Sequence, residues 1–194
     1  MQKLTRADLL NLETYAEQRK DFRAKVLVHK KYRKIILGEH ATLLFEDRMT
    51  IQYQIQEMLR VERIFEAAGI EDELQSYNPL IPDGNNLKAT FLIEYEDAEE
   101  RKRALAQMIG IEEKVWMQVP GFERIWAIAD EDLERETEEK TSSVHFLRFE
   151  FTPPMIAVLK EGADLAIGID HPNYNFQTDA LDESIKAALC ADFE

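Results

Sequence analysis

Leu87-Lys88-Ala89-Thr90-Phe91-Leu92-Ile93-Glu94-Tyr95 is where the hydrophobic period of this chain changes. Leu87, Ala89, Phe91, Ile93 and Tyr95 fall on one face, and Lys88, Thr90, Leu92 and Glu94 on the other, the two-residue alternation of a half-buried strand. Downstream, Asp97 is placed to cap a helix carrying Ala104, Leu105, Met108 and Ile109 as far as Gly110. Two further strands, residues 115–119 and 124–129, flank Pro120-Gly121-Phe122-Glu123, a connection of hairpin size that makes Trp116 and Trp126 candidate cross-strand neighbours. A charge run at residues 130–140 reads as a short exposed helix. Its acids could hold a hard cation, although their spacing is not that of an EF-hand loop. Residues 142–152 form a strong strand centred on Val144-His145-Phe146-Leu147-Arg148-Phe149-Glu150-Phe151.

The resulting order of strand, helix, strand, strand, short helix, strand is that of a split βαβ, ferredoxin-like layer. It predicts an α+β protein with N-terminal helices packed on a mainly antiparallel sheet. After Pro153-Pro154 a helix is expected to residue 160, a fifth strand at 165–169, a loop at 171–175 and a final helix at 181–189.

Upstream the spacing is helical. Ile51, Ile55, Met58, Leu59, Val61 and Phe65 share one arc, Asp47 is the cap and Gly69 the stop, so a core-facing helix is expected over residues 48–68. The same projection places Glu62 inside the apolar arc, where a carboxylate requires a partner. It also stacks Gln52, Gln56, Arg60 and Arg63 into an amide and guanidinium stripe suited to a carboxylate or phosphate. Two β-prone runs around Gly38 suggest a short hairpin. Thr5 and Asp8 suggest a capped start to a helix, or broken pair of helices, reaching about residue 29. Two prolines, Asp83-Gly84 and three asparagines force a loop in the region 71–86. Residues 1–70, 71–86 and 87–194 are therefore read as a helical region with a possible hairpin, a loop and a sheet region within one compact domain.

Composition narrows the function. In 194 residues, 38 acidic against 24 basic side chains leave a formal charge of −14, which repels a phosphate backbone and argues against nucleic-acid binding. Basic residues concentrate at Lys20, Arg23, Lys25, Lys30, Lys31, Arg33 and Lys34. Cys190 is the only cysteine, so the chain supplies no internal disulfide, multi-cysteine zinc site or iron–sulfur cluster. Neither a signal peptide nor an apolar run of membrane-spanning length is present, and a cytoplasmic location is expected.

The sequence contains no dinucleotide fingerprint, phosphate loop, nucleophile elbow or His-Glu-x-x-His, and no Glu-x-x-His pair of di-iron bundles. No cofactor is implied. Among candidate chemical groups, His145 lies inside a strand on the face of Ser143, Leu147 and Phe149, where it could serve as acid, base or ligand. Glu57 and Glu62 are the candidate carboxylates beside it. Gln52, Gln56, Arg60, Arg63, Asp83 and Arg148 are candidate anion or substrate contacts. An enzyme would need Glu57, Arg60, Glu62 and His145 to converge in one pocket. Glu57, Glu62 and His145 offer oxygen and imidazole ligands for iron, manganese or zinc, but no local spacing demands a metal and none is expected.

Leu43-Leu44-Phe45-Glu46-Asp47-Arg48, Tyr53-Gln54-Ile55-Gln56-Glu57-Met58-Leu59-Arg60, Tyr77-Asn78-Pro79-Leu80-Ile81-Pro82-Asp83-Gly84, Ile128-Ala129-Asp130-Glu131-Asp132 and Lys140-Thr141-Ser142-Ser143-Val144-His145-Phe146-Leu147-Arg148-Phe149 together carry a resemblance. Over nearly its whole length the chain resembles the bacterial family called domain of unknown function 3501. The resemblance implies a redox or peroxide context with rubrerythrin-like or iron–sulfur proteins as partners, and it transfers no catalytic residue. Lacking the cysteines and Glu-x-x-His pairs of such centres, the chain is expected to act there as an accessory or interaction protein.

Overall fold

The computed structural model describes residues 1–131 and 140–194. The described strands form two antiparallel sheets. One has the order β1 (Lys34–Leu37), β2 (Ala41–Glu46), β3 (Asn86–Ile93), β7 (Val144–Glu150), β6 (Ile128–Ala129). The other has the order β5 (Ile125–Trp126), β4 (Val115–Gln118), β8 (Ala166–His171), β9 (Tyr174–Gln177).

The α+β class and antiparallel pairing follow the sequence, but the ferredoxin-like layer does not. Strands β3 and β4 flank helix α4 (Ala98–Gln107) yet enter different sheets. One edge of β3 is taken by the β1–β2 hairpin, with Leu43 opposite Phe91, and the other by β7, with Leu87 opposite Phe149. A two-residue alternation specifies which face of a strand is buried and says little about its neighbours. Leu87, Ala89, Phe91 and Ile93 do point into the core, where they join Phe45 and Phe149 from the first sheet and Met117, Ile167 and Ile169 from the second in one apolar cluster.

The chain changes sheets at Ala127, whose N–H donates to Val115 O at 2.9 Å; three residues later the Asp130 N–H donates to Phe146 O at 2.9 Å. Trp116 stands directly opposite Trp126, with the Arg124 guanidinium 4.1 Å from the Trp116 ring centroid. Across the other edge of β4, Trp116 pairs with Gly168. The loop expected at residues 171–175 is instead the turn and flanks of the β8–β9 hairpin.

The helices are α1 (Leu12–Lys31), α2 (Arg48–Glu62), α3 (Ala67–Tyr77), α4, α5 (Pro153–Lys160) and α6 (Glu183–Cys190). Thr5 and Asp8 cap a single 3-10 turn, and Asn11 caps α1 by accepting from Thr14 N at 2.9 Å. Asp47 and Thr50 cap α2 reciprocally. Helix α2 is shorter than its apolar periodicity suggests, because Arg63 adopts the left-handed conformation at φ 55 and ends it. A new helix starts at Ala67 and runs to Tyr77, through the first seven residues of the expected loop. Gly69 lies inside it, where a Cβ would come within 2.8 Å of Ile64 Cγ2; its lack of a side chain permits a close approach and stops nothing.

Helices α2 and α3 and the N-terminal segment enclose a second apolar cluster of Leu4, Ile51, Ile55, Leu59, Leu74 and Ile81. Where α1 ends, Arg33 is buried. Its guanidinium takes Asp192 in two hydrogen bonds of 2.9 and 2.5 Å and reaches the Asp47 cap at 3.0 Å, where the His29 ring also converges.

Candidate functional site

The candidate residues fall into three groups of polar side chains, which lie in different places apart from the buried Arg33 group. The first surrounds His145, which is fully buried on the core face of β7 as its alternation requires. Its Nδ1 lies 2.5 Å from Asp130 Oδ2. Its Nε2 faces the Ser142 carbonyl at 3.0 Å, the Thr141 hydroxyl at 3.0 Å and Glu112 Oε2 at 3.7 Å. Thr141 donates its hydroxyl proton to Glu112 at 3.1 Å.

Each neighbour is placed by local backbone. Gly110, left-handed at φ 79, opens the 3-10 turn that turns Glu112 inward. Asp130 adopts φ 46, a conformation tolerated by Asp better than by most residues, and its Oδ1 accepts from Phe146 N at 2.9 Å, clamping the carboxylate onto β7. A buried imidazole so arranged can hold a proton between carboxylates or present one nitrogen to an ion. Sequence reading found His145, took Asp130 only as one acid of the charge run and missed Glu112 and Thr141; Glu112 lies in the connection before β4, Asp130 and Thr141 at the two ends of the connection between β6 and β7, and only the tertiary fold assembles them. Asp130 opens the charge run, and the part of that run at residues 132–139, with its expected helix and cation site, lies outside the described residues.

The second group lies on α2. Glu57 accepts two hydrogen bonds from Arg19, at 2.7 and 2.8 Å, and one from the Tyr15 hydroxyl at 2.6 Å. The Arg19 guanidinium chiefly, against the cost of burial, holds the Glu57 carboxyl at about 2. Glu57 is thus the carboxylate that meets a cation, tying α2 to α1. Glu62 is exposed: it is the last residue of a helix that stops before the projected arc is complete, and Val61 and Phe65 of that arc are exposed as well. Gln56 is the polar residue that is buried, with its side chain bonded to both the N–H of Leu10 (2.6 Å) and the C=O of Leu10 (3.2 Å). Gln52 donates to Asp8 O at 2.7 Å, Arg60 reaches Glu57 at 3.4 Å, and Arg63 is the exposed helix terminator. The proposed amide stripe is divided between holding the N-terminal segment and facing solvent.

Two results follow for α2. Gln56→Leu strands the part-buried N–H and C=O of Leu10 and should cost about 2 kcal/mol, whereas Glu62→Gln should stay within about 0.5 kcal/mol; urea denaturation of both variants checks the assignment. For Glu57, the folded carboxyl is held below its ordinary value of 4.5 at about 2, so its contribution is complete above pH 4.5 and disappears as pH falls towards 2. Glu57→Gln should therefore be less stable than the parent by about 2 kcal/mol at pH 7 and converge with it by about pH 2 to 3. Parallel denaturation curves at stepwise pH measure that convergence.

The third group lines a groove between α3 and the outer face of the five-stranded sheet, about 620 Å³ in volume and bordered by Tyr77, Leu80, Lys88, Phe146 and Arg148. Arg148 holds Glu131 through two hydrogen bonds of 2.7 Å and also pairs with Glu150. Asp83, resisting burial that would raise it, is kept at about 2 by Lys3 and Lys88, the latter at 2.7 Å. The candidate anion contacts Asp83 and Arg148 thus each already hold opposite charges.

Glu57, Glu62 and His145 do not form a common ligand group: among the described residues the His, Cys, Asp and Glu atoms that gather closely enough to share an ion are those of Glu112, Asp130 and His145, within 4.8 Å of one another. No described helix is long and apolar enough to cross a membrane. Leu27, Val28, Tyr32 and Met49 are exposed apolar side chains of the helical layer, as are Val61 and Phe65. Ala24, Lys25, Val28, His29, Tyr32 and Met49 line one shallow hollow there.

No curated protein matches this chain. A crystal structure described as a novel protein of unknown function from Burkholderia pseudomallei K96243 is similar along the full length of both chains, with 52% identity and a TM-score of 0.95. The family model described as protein of unknown function DUF3501 matches residues 3–193, and the chain belongs to that family.

Proposed function

We propose that the protein is an accessory protein that docks an acidic, amphipathic helix of a partner protein on the exposed face of α1. The observation that carries this reading is the meeting of unpaired cations and uncovered apolar surface. Lys20, Arg23, Lys25 and Lys31 are exposed and, among the described residues, enter no ion pair, although the chain carries a net charge of −14. Beside them Val28 is 56% and Tyr32 46% exposed, on a helix whose opposite side buries Tyr15 and Val26. An apolar centre with Lys25 and Lys31 close to it suits a partner helix with an apolar stripe and acidic flanks. The rubrerythrin-like and iron–sulfur proteins implied by the family resemblance are the partners to test first.

The experiment is calorimetric titration of the purified chain with purified rubrerythrin-like and iron–sulfur proteins. Val28→Asp and the double change Lys25→Glu with Lys31→Glu should each weaken binding by about tenfold or more, and added salt should weaken the parent complex. Absence of binding, or binding unaffected by either variant, overturns the proposal.

A further inference from the structure

We infer that the centre around His145 is a binding site for a single divalent transition-metal ion, with His145 Nε2, Glu112, the Thr141 hydroxyl and the Ser142 carbonyl as its ligands. The oxygen and imidazole ligands that the sequence offers without demanding a metal, Glu57 and Glu62 with His145, do not assemble; a different set does.

Spacing is the first argument. From Nε2 to the Thr141 oxygen is 3.0 Å, to the Ser142 oxygen 3.0 Å and to Glu112 Oε2 3.7 Å, and Thr141 to Glu112 is 3.1 Å. Ligands bound at about 2.0 to 2.2 Å stand roughly 3.0 Å apart at adjacent octahedral positions and roughly 3.4 Å apart at tetrahedral ones. These four separations therefore match or lie close to the edge lengths of a coordination polyhedron.

The second argument is the ring's other nitrogen. Asp130 lies 2.5 Å from Nδ1 and is itself anchored by Phe146 N at 2.9 Å. That is the carboxylate–histidine relay that orients metal-bound imidazoles, and it directs Nε2 towards the other three atoms.

Donor chemistry selects the ion. One imidazole nitrogen with a carboxylate and neutral oxygens favours manganese, iron or zinc over the soft ions that need thiolate, and Cys190 takes no part. His145, Thr141 and Glu112 are each at most 5% exposed, so the protein supplies most of the coordination shell itself.

The test uses the full chain, treated with chelator, dialysed and then titrated with Co²⁺ and Zn²⁺. Co²⁺ should bind one per chain with visible d–d bands, Zn²⁺ should displace it, and either ion should raise the melting temperature. Asp130→Asn, which keeps the side-chain shape, should weaken binding by about 10- to 100-fold, and Glu112→Gln by at least as much. Glu57→Gln, remote from these ligands, should bind as the parent does. If the folded, chelator-treated parent takes up neither ion, or if both site variants bind like the parent, the inference is overturned. The parent measurement decides the matter even if a variant does not fold.

Discussion

Asp192→Ala is expected to lower the unfolding free energy by about 3 kcal/mol, a substantial share of a typical domain's stability. Arg33 and Asp192 are each 3% exposed, and the guanidinium reaches Asp192 through two hydrogen bonds while also touching Ala188 O at 3.2 Å. Removing the carboxylate leaves a buried cation with only Asp47 near it. Burial raises the Asp192 carboxyl above its ordinary range, with Arg33 opposing the shift, so desolvation of this pair is a substantial cost in the parent. For that reason the double change Arg33→Met with Asp192→Leu should be markedly less damaging than Asp192→Ala alone. Guanidinium denaturation of the three proteins tests both statements; a double variant as unstable as the sum of its parts would refute the charge argument.

Gly168→Val should be equally severe, about 3 kcal/mol, for a steric reason. A Cβ at this position would lie 2.5 Å from Trp116 Cζ2 and 2.6 Å from the Phe176 backbone oxygen. The indole cannot retreat without leaving Arg124 and its pairing with Trp126, and the Phe176 carbonyl belongs to the neighbouring strand. The second sheet must therefore separate or shift. Thermal melting followed by tryptophan fluorescence should show a lowered midpoint and an altered native spectrum; an unchanged spectrum at unchanged stability would contradict the packing described.

Particular residues show what could be read without coordinates. Leu87, Ala89, Phe91 and Ile93 announced a strand and its buried face because a two-residue period leaves little choice. The Asp47 cap and the opposition of Trp116 to Trp126 were equally local, the one a matter of three residues and the other of a hairpin. Which strand would join β3 was not local: β7 arrives from more than fifty residues away. Helical projection failed at Glu62 because it assumes that the helix continues, and Arg63 ends it by a backbone rotation that an arginine seldom makes. Gln56 was misassigned for a related reason: its partner is the backbone of Leu10, which no side-chain pattern reveals. At the candidate centre, His145 was visible as a polar residue on an apolar face, while Glu112 and Thr141 carry no periodic signal.

The two apolar clusters differ greatly in extent: the one around α2 and α3 has six fully buried members, and the one shared by the sheets draws on both. Side chains that do not touch need not melt together, and a smaller contiguous set opens at lower free energy. Amide protons of α3 and of the inward end of α2 should then exchange with deuterium through a partial opening that leaves β3 and β7 protected. Such exchange would divide the molecule into two cooperative units of unequal depth, the shallower one in the helical layer that carries the proposed docking face of α1.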